Sequence, residues 1–492
     1  MSTGSMPRRS ARRATVIGGG PNGLAAAVSL ARAGYAVHVL EAAAAVGGGV
    51  RSEEGPLPGF VSDVCSAVHP AAYASPFFRA FGRDRIDWIV PEASYAHPLD
   101  GGRSAIAWRD LDRTADALGT DARAWRALLR PLTRRIDALV ETTGSSLLQV
   151  PPHPVTALRY GLRMLEQGTA MSARTFRGEE AAALFAGVAA HANAALPSPG
   201  AAAAGLLLAA HGHAGGWAYP RGGAQRIADA LVDDLRAHGG TIETDAGVGD
   251  LSSLDWGDPA RGDVLVLAGS PRLALTLRDV PAAYAGALRR YRYGAAAAKV
   301  DFALDGPVPW ADPAVALAPT VHVGGTRDEI RASENAVAQG RVSAAPYVLV
   351  VQPSVLDATR APEGKHVLWS YIHVPANSDL DATELITRQI ARFAPGFRDR
   401  ILASRAVAAR DRVRTNPAEI GGDIFGGAFT IVQALRRPVV ARSPWRTPMP
   451  GVYLASASTP PGPGVNGMAG WHAARTVLAD AGERVSLADL FG

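Results

Sequence analysis

Gly18, Gly20 and Gly23 have the spacing G-x-G-x-x-G, follow the apolar run ATVI and precede an alanine-rich segment that stops at Gly34. Each glycine has its own task in a dinucleotide-binding turn. Gly18 permits the tight exit from a strand, Gly20 lets the backbone approach a pyrophosphate, and Gly23 lets helix and strand pack closely. Pro21 and Asn22 complete the cradle, and a helix starting there aims unpaired N–H groups and a partial positive charge at the phosphates. Glu41 closes the next apolar run, YAVHVLE, 23 residues after Gly18. A carboxylate at that place accepts hydrogen bonds from the adenosine ribose hydroxyls and disfavours a 2′-phosphate.

These residues need a strand, a turn, a helix and a second strand in that order. ATVIG reads as a buried parallel strand, PNGLAAAVSLARAG as a helix with proline at its start and Gly34 as its stop, and YAVHVLE as the second strand. The alternation returns in AQRIADALVDDLRAHGG, where Ile227, Leu231 and Leu235 share a helical face, followed by the strands TIETDAGV and DVLVLAG. It returns again in the strand GVYLAS, the loop TPPGPGVNGMAG and the helix WHAARTVLADAG. The pattern predicts an α/β fold: a discontinuous Rossmann-type domain from residues 12–75, 215–285 and 441–492, and a second α+β substrate domain built from two insertions, 76–214 and 286–440. The first insertion is helix-rich, as in WRALLRPLTRRIDALVETT. The second mixes the strands AAAKVDFAL and YVLVVQP with the helix TELITRQIARFA.

Beyond Glu41, EAAAAVGGGVRS places Ala42, Gly47, Gly48, Val50 and Arg51 beside the ribose-binding acid. This segment resembles the second signature of FAD enzymes of the glutathione-reductase-like class, found in amine oxidases and phytoene desaturases. The resemblance implies FAD as cofactor, glycines that admit its diphosphate, and a cation that balances phosphate or flavin charge. SAVHPAAYASPFF, LFAGVAAHA, GWAYPRGGAQRIADAL, RYRYGAAAAKVDFALDGPVPW, NPAEIGGDIFGG and YLASASTPPGPGVNGMAGWHAA extend the likeness, and together resemble the phytoene dehydrogenase-related branch of FAD-dependent oxidoreductases. The last segment then corresponds to a flavin signature in which a strand, a glycine loop and a helix N-terminus hold the ribityl chain and ring edge. Ser456, Pro463, Gly464, Val465 and Met468 join the cofactor-binding set with it, as does Val248. Many relatives carry glycine and histidine where this chain has Ser456 and Asn466. Asn466 can orient a substrate by hydrogen bonding but is no base near neutral pH.

His69, Asn466 and His213 are the candidate catalytic residues. His69 follows the second signature closely and could face the flavin as acid or base, or serve as a structural histidine that hydrogen-bonds a loop. His211 and His213 precede GWAYPRGG and suit either an active-site edge or a helix cap, whereas His191 reads as a packing residue in an alanine-rich helix. Trp217 and Tyr219 read as packing aromatics, and Lys299, one of only two lysines, as a surface residue. No metal site is expected, because nothing completes a ligand shell around His211 and His213.

A net charge of +5 over 492 residues is a weak field, and no stretch interleaves basic and aromatic residues, so a nucleic-acid partner is not expected. Arg8, Arg9, Arg12 and Arg13 read as a solvated arm, with contact to anionic lipid as the alternative. The single cysteine, Cys65, rules out an internal disulfide, and no export-type apolar segment follows the arginines, so a cytoplasmic protein with peripheral membrane contact as an option is expected. The run AAAAGLLLAA is too short to span a bilayer and reads as a buried helix, a pocket wall or a shallow membrane contact. The hydrolase and kinase motifs G-x-S-x-G, P-loop and H-E-x-x-H are missing. The sequence thus points to an FAD-dependent oxidoreductase that moves a hydride from a C–H of a small hydrophobic substrate to flavin, leaving C=C, and passes electrons to oxygen, a quinone or another carrier. An amine oxidase forming C=N and peroxide, and a flavin-holding binding protein without turnover, are the alternatives.

Overall fold

The structure, a computed structural model, describes residues 12–492. Arg8 and Arg9 lie outside the described residues. Arg12 and Arg13, expected in a solvated arm, are instead tied down. Arg12 bonds Glu483 at 2.5 Å and lies 4.5 Å from the centre of the Tyr35 ring, while Arg13 opens the first strand and pairs with Asp255 at 3.3 Å.

Two sheets organise the chain. The first has five parallel strands in the order Val452–Leu454, Val264–Leu267, Arg13–Ile17, Ala36–Leu40, Thr241–Glu243. The chain leaves the central strand in one direction first and fills the other side later, which opens a crevice at the carboxyl ends of the strands. The helix Pro21–Arg32 starts directly above that crevice, and its small residues are buried between the helices Gln225–Ala237 and Met468–Asp480. The approach is close because glycines stand where it is closest. A Cβ on Gly23 would lie 1.9 Å from the Gly18 carbonyl oxygen, and one on Gly470 would lie 1.9 Å from that of Asn22.

The second sheet has seven strands, in the order Ile401–Val407, Ala296–Leu304, His366–Val374, Val348–Val351, Thr320–Val323, Ala93–Leu99, Arg103–Trp108. All neighbours are antiparallel except Thr320–Val323 and Ala93–Leu99. Its inner strand Val348–Val351 reads as a continuous apolar run because both of its faces are covered. Val348 and Val350 pack on Ile386, Ile390 and Phe393 of the helix Thr383–Phe393, while Leu349 and Val351 join the core formed with the helices Glu179–Ala190 and Pro199–Ala214.

Two expected elements differ in extent. WRALLRPLTRRIDALVETT divides into the helices Ala122–Thr133, with Pro131 near its end, and Ile136–Thr143. TIETDAGV forms a strand only over Thr241–Glu243. The chain then turns, and the N–H groups of Asp245 and Ala246 bond the carbonyls of Ala43 and Glu41, seating this loop on the crevice.

Candidate active site

A cavity of about 1280 Å³ begins at the carboxyl ends of the parallel strands and continues along the seven-stranded sheet. Ligand pockets usually hold roughly 300–1000 Å³, so this one has room for a large cofactor and a second molecule. Its first part is built from Gly18, Gly20, Pro21, Asn22, Glu41, Ala42, Gly48 and Val248, with Pro463, Gly464, Val465, Asn466 and Met468 opposite.

Several features of this part lack a partner that FAD would supply. The helix Pro21–Arg32 has no side-chain cap at Gly20, so its first N–H groups face the cavity. Asn22 Oδ1 is buried and unpaired there. The Gly20 and Gly48 turns approach so closely that a Cβ on Gly48 would lie 3.1 Å from Gly20 Cα. The Glu41 carboxylate is buried and set by the N–H groups of Gly19 at 2.7 Å and Ala43 at 2.9 Å, while its residue still lines the cavity. These residues fit the adenosine ribose and diphosphate of FAD. At the opposite wall, Asn466 Oδ1 accepts from the Met468 N–H at 2.9 Å, the first N–H of the helix Met468–Asp480, whose N-terminus points at the same space. The Asn466 amide N–H groups are what this residue can offer an occupant.

Other expected cofactor residues stand behind the cradle. Gly23 and Val50 are packing positions in the core, and Gly47, at φ +124°, shapes the second turn by donating its N–H to the Gly19 carbonyl. Arg51 bonds the carbonyls of Gly48 and Thr415 and does not line the cavity, so its charge acts at most from a distance. Ser456 is buried, and its Oγ accepts from the Ser458 N–H.

Of the histidines, His69 faces the cavity at the start of the helix Pro70–Ala74. Its Nε2 is buried without a partner, its Nδ1 lies 3.4 Å from Ser66 Oγ, and burial lowers its pKa to about 4. It is therefore a neutral donor or acceptor at physiological pH. The catalytic role expected for His213 is corrected by the geometry. Its Nε2 accepts from Trp125 Nε1 at 3.0 Å and its Nδ1 meets the Trp108 carbonyl at 2.8 Å, outside the cavity. His211, two residues earlier and so on the opposite side of the helix Pro199–Ala214, does line the cavity, as does Trp217. Lys299 is no surface residue: it is 2% exposed and forms an ion pair with the equally buried Asp301.

Sequence reasoning missed three parts of the site. Gly49, Ser66 and Gly269 line the cofactor end; Gly269 comes two residues after the strand Val264–Leu267, beyond Ala268, a signal akin to Gly18 after the first strand. Trp369 and Tyr371 line the middle from the second sheet. His191 also lines the cavity and is bonded through Nε2 to His322 Nε2 at 2.7 Å, an interaction between residues far apart in the chain. No cluster of three or more His, Cys, Asp or Glu side chains among the described residues is arranged to hold a metal ion.

A dinucleotide cradle under a parallel sheet, joined by one cavity to a seven-stranded sheet, defines an FAD-dependent oxidoreductase. The chain belongs to the flavin containing amine oxidoreductase family, whose model matches residues 22–478. It is 26% identical over 555 residues to "Pyridine nucleotide-disulfide oxidoreductase domain-containing protein 2" of Rattus norvegicus, covering 95% of this chain and 93% of that protein. It is also 26% identical to the hydroxyneurosporene desaturase of Rhodobacter capsulatus over 96% of this chain and 99% of the relative. In fold it is similar to cyclohexylamine oxidase from Brevibacterium oxydans IH-35A, with a TM-score of 0.58 at 17% identity over 96% of this chain and 100% of that one.

Proposed function

We propose that the protein desaturates an apolar, alkyl or polyene-like substrate, using FAD as hydride acceptor and forming C=C. The observation that carries this reading is the wall of the cavity beyond the cofactor cradle. It is formed by Ala203, Ala204, Leu207 and Leu208 of the helix Pro199–Ala214 with Leu349, Val351, Trp369 and Phe429. Its acids are already engaged: Glu419 with Arg412 at 2.6 Å, and Asp423 with the N–H groups of Gly294, Phe425 and Gly427. An ammonium substrate would find no free carboxylate to offset its desolvation, which argues against an amine.

The mouth of the cavity supports uptake from a lipid phase. Leu147, Val150 and Ile431 line the cavity and are 58%, 89% and 41% exposed. Beside them the helix Pro154–Gln167 turns Ala157, Tyr160 and Met164 inward and leaves Val155, Leu158, Leu162 and Leu165 at least half exposed. Val432, Leu435 and Val440 extend the apolar rim, and the exposed Arg159, Arg436 and Arg442 add charge suited to anionic headgroups. No helix among the described residues is long and apolar enough to cross a membrane, so the contact proposed is peripheral.

Anaerobic mixing of the FAD-loaded protein with squalene and other isoprenoid polyenes, and separately with primary amines, tests the reading. Bleaching of the flavin band by a polyene is the expected result; bleaching by amines alone, with peroxide on admission of oxygen, would replace it with amine oxidation. Re-oxidation of the bleached flavin by oxygen or by a soluble quinone then identifies the acceptor.

A further inference from the structure

His191 ends the helix Glu179–Ala190, and its bond to His322 has a direction that matters. One Nε2 must donate and the other accept, and a neutral imidazole carries one proton. His191 lines the cavity, and with Nε2 engaged its Nδ1 is the ring nitrogen left for an occupant: a lone pair if His191 donates to His322, an N–H if it accepts.

The surroundings select the first arrangement. His97 Nε2 lies 2.6 Å from the Gly325 carbonyl oxygen, which can only accept, so neutral His97 holds its proton on Nε2 and a lone pair on Nδ1. Nδ1 of His97 and Nδ1 of His322 are both buried without a partner, and each lies 3.0 Å from the point that a Cβ on Gly187 would occupy. Glycine at 187 therefore leaves one gap onto which both nitrogens open. Neither nitrogen bonds the other, but two lone pairs facing one gap repel, so the lone pair on His97 favours a proton on His322 Nδ1. His322 Nε2 then accepts, His191 Nε2 donates, and His191 Nδ1 is left as an acceptor for the cavity.

We propose that His191 Nδ1 is the proton acceptor of the reaction, held in that tautomer by His322 and His97 as positioning residues. The role rests on the desaturation reading above. Departure of a hydride to flavin removes one C–H bond with both its electrons and leaves an electron-deficient carbon. In the same step the electron pair of the adjacent C–H bond becomes the second bond of C=C and its proton passes to His191 Nδ1, so that flavin reduction requires the base. That C–H is made strongly acidic by the neighbouring positive carbon, so a weak base suffices. A neutral imidazole also brings no resting charge into an apolar cavity.

Around the pair stand Tyr95 and His97 from one strand, Trp217, Tyr347, and His373 bonded to Glu334 at 2.7 Å. Burial, with His373 nearby, lowers the His191 pKa to about 3. The ring consequently remains an acceptor at every pH at which the protein is handled.

Two measurements on the FAD-loaded protein test this. Diethyl pyrocarbonate attacks only unprotonated imidazole nitrogen, and tandem mass spectrometry locates the product. Between pH 8 and pH 5, modification of His191 should change less than twofold while that of N-acetylhistidine in the same tube falls at least tenfold; an unmodified His191, or one that follows N-acetylhistidine, overturns the assignment. Nitrogen-15 spectra of histidine-labelled protein should show His191 as the Nε2–H tautomer in the wild type and as a mixture in His322→Phe; an Nδ1–H wild type overturns it as well. In turnover, His191→Asn should slow flavin bleaching by the active polyene at least 100-fold while FAD binding is unchanged. A wild-type flavin that no polyene bleaches overturns the desaturation reading and the role with it, whereas bleaching that survives His191→Asn overturns the role alone.

Discussion

Alanine in place of Gly23 and of Gly20 separates packing of the cradle from recognition of the cofactor. On Gly23 the new Cβ would lie 1.9 Å from the Gly18 carbonyl oxygen and 2.9 Å from Ala268 Cβ. Non-bonded heavy atoms rest at roughly 3.5 Å, so strand and helix must separate by more than ~1 Å. Overpacking of this kind costs about 1–3 kcal/mol. On Gly20 the Cβ meets nothing in the protein closer than Gly48 Cα at 3.9 Å, and φ −73°, ψ 174° suits alanine. Gly20→Ala should therefore leave the apoprotein within about 0.5 kcal/mol of wild type. It nevertheless sets a methyl group on the cavity wall formed by the two glycine turns, against which the diphosphate would lie. Urea unfolding of the apoprotein and titration with FAD, followed by flavin fluorescence, distinguish the two. Gly23→Ala should lower the urea midpoint and weaken FAD binding together; Gly20→Ala should weaken binding about tenfold or more, equal to ~1.4 kcal/mol, with the midpoint unchanged. Wild-type FAD affinity in Gly20→Ala would refute the placement of the diphosphate.

Burial lowers the pKa of His69, His97, His211, His213 and His472 to about 4 and that of His191 to about 3, so these side chains stay neutral in the fold. Once unfolded they titrate near ~6.5. Between these values the unfolded chain binds protons that the folded chain does not, so stability rises with pH and the urea midpoint should fall steadily from pH 7 to pH 4.5; a flat profile would contradict their burial. Arg360, 1% exposed, pairs at 2.8 Å with Asp63, which also accepts from Ser52 and from the Ala224 N–H. Arg360→Met leaves that carboxylate uncompensated and should cost about 3–5 kcal/mol in chemical denaturation. The double change Leu158→Asp and Leu162→Asp, on an exposed helix face, should reduce co-sedimentation with phosphatidylglycerol vesicles and leave the flavin spectrum unchanged. Undiminished sedimentation would place the membrane contact elsewhere, and loss of a dimer in its place would assign the face to a second copy.

The cofactor end of the site was legible because its chemistry is local. The run from Ala14 to Glu41 holds strand, turn, helix, strand and acid in consecutive residues, and a glycine there reports a backbone need that no distant contact can waive. Asn466 and Met468 were legible for the same reason, since a helix start and the side chain that bonds its first N–H are neighbours in sequence. What a histidine does is set by contacts that periodicity does not encode. His211 and His213 lie two residues apart, yet one lines the cavity and the other is held by Trp108 and Trp125. Lys299 is buried because Asp301 and the neighbouring strands surround it, and His191 becomes an acceptor because residues 97, 187 and 322 converge from three elements. By itself the sequence determined the dinucleotide-binding fold, which rests on backbone conformations encoded over a few residues, while FAD as the dinucleotide came from the resemblance of its further segments to flavin signatures. Only the tertiary structure decided which side chains reach the substrate and in what protonation state, since burial and hydrogen-bond direction belong to the whole packed chain.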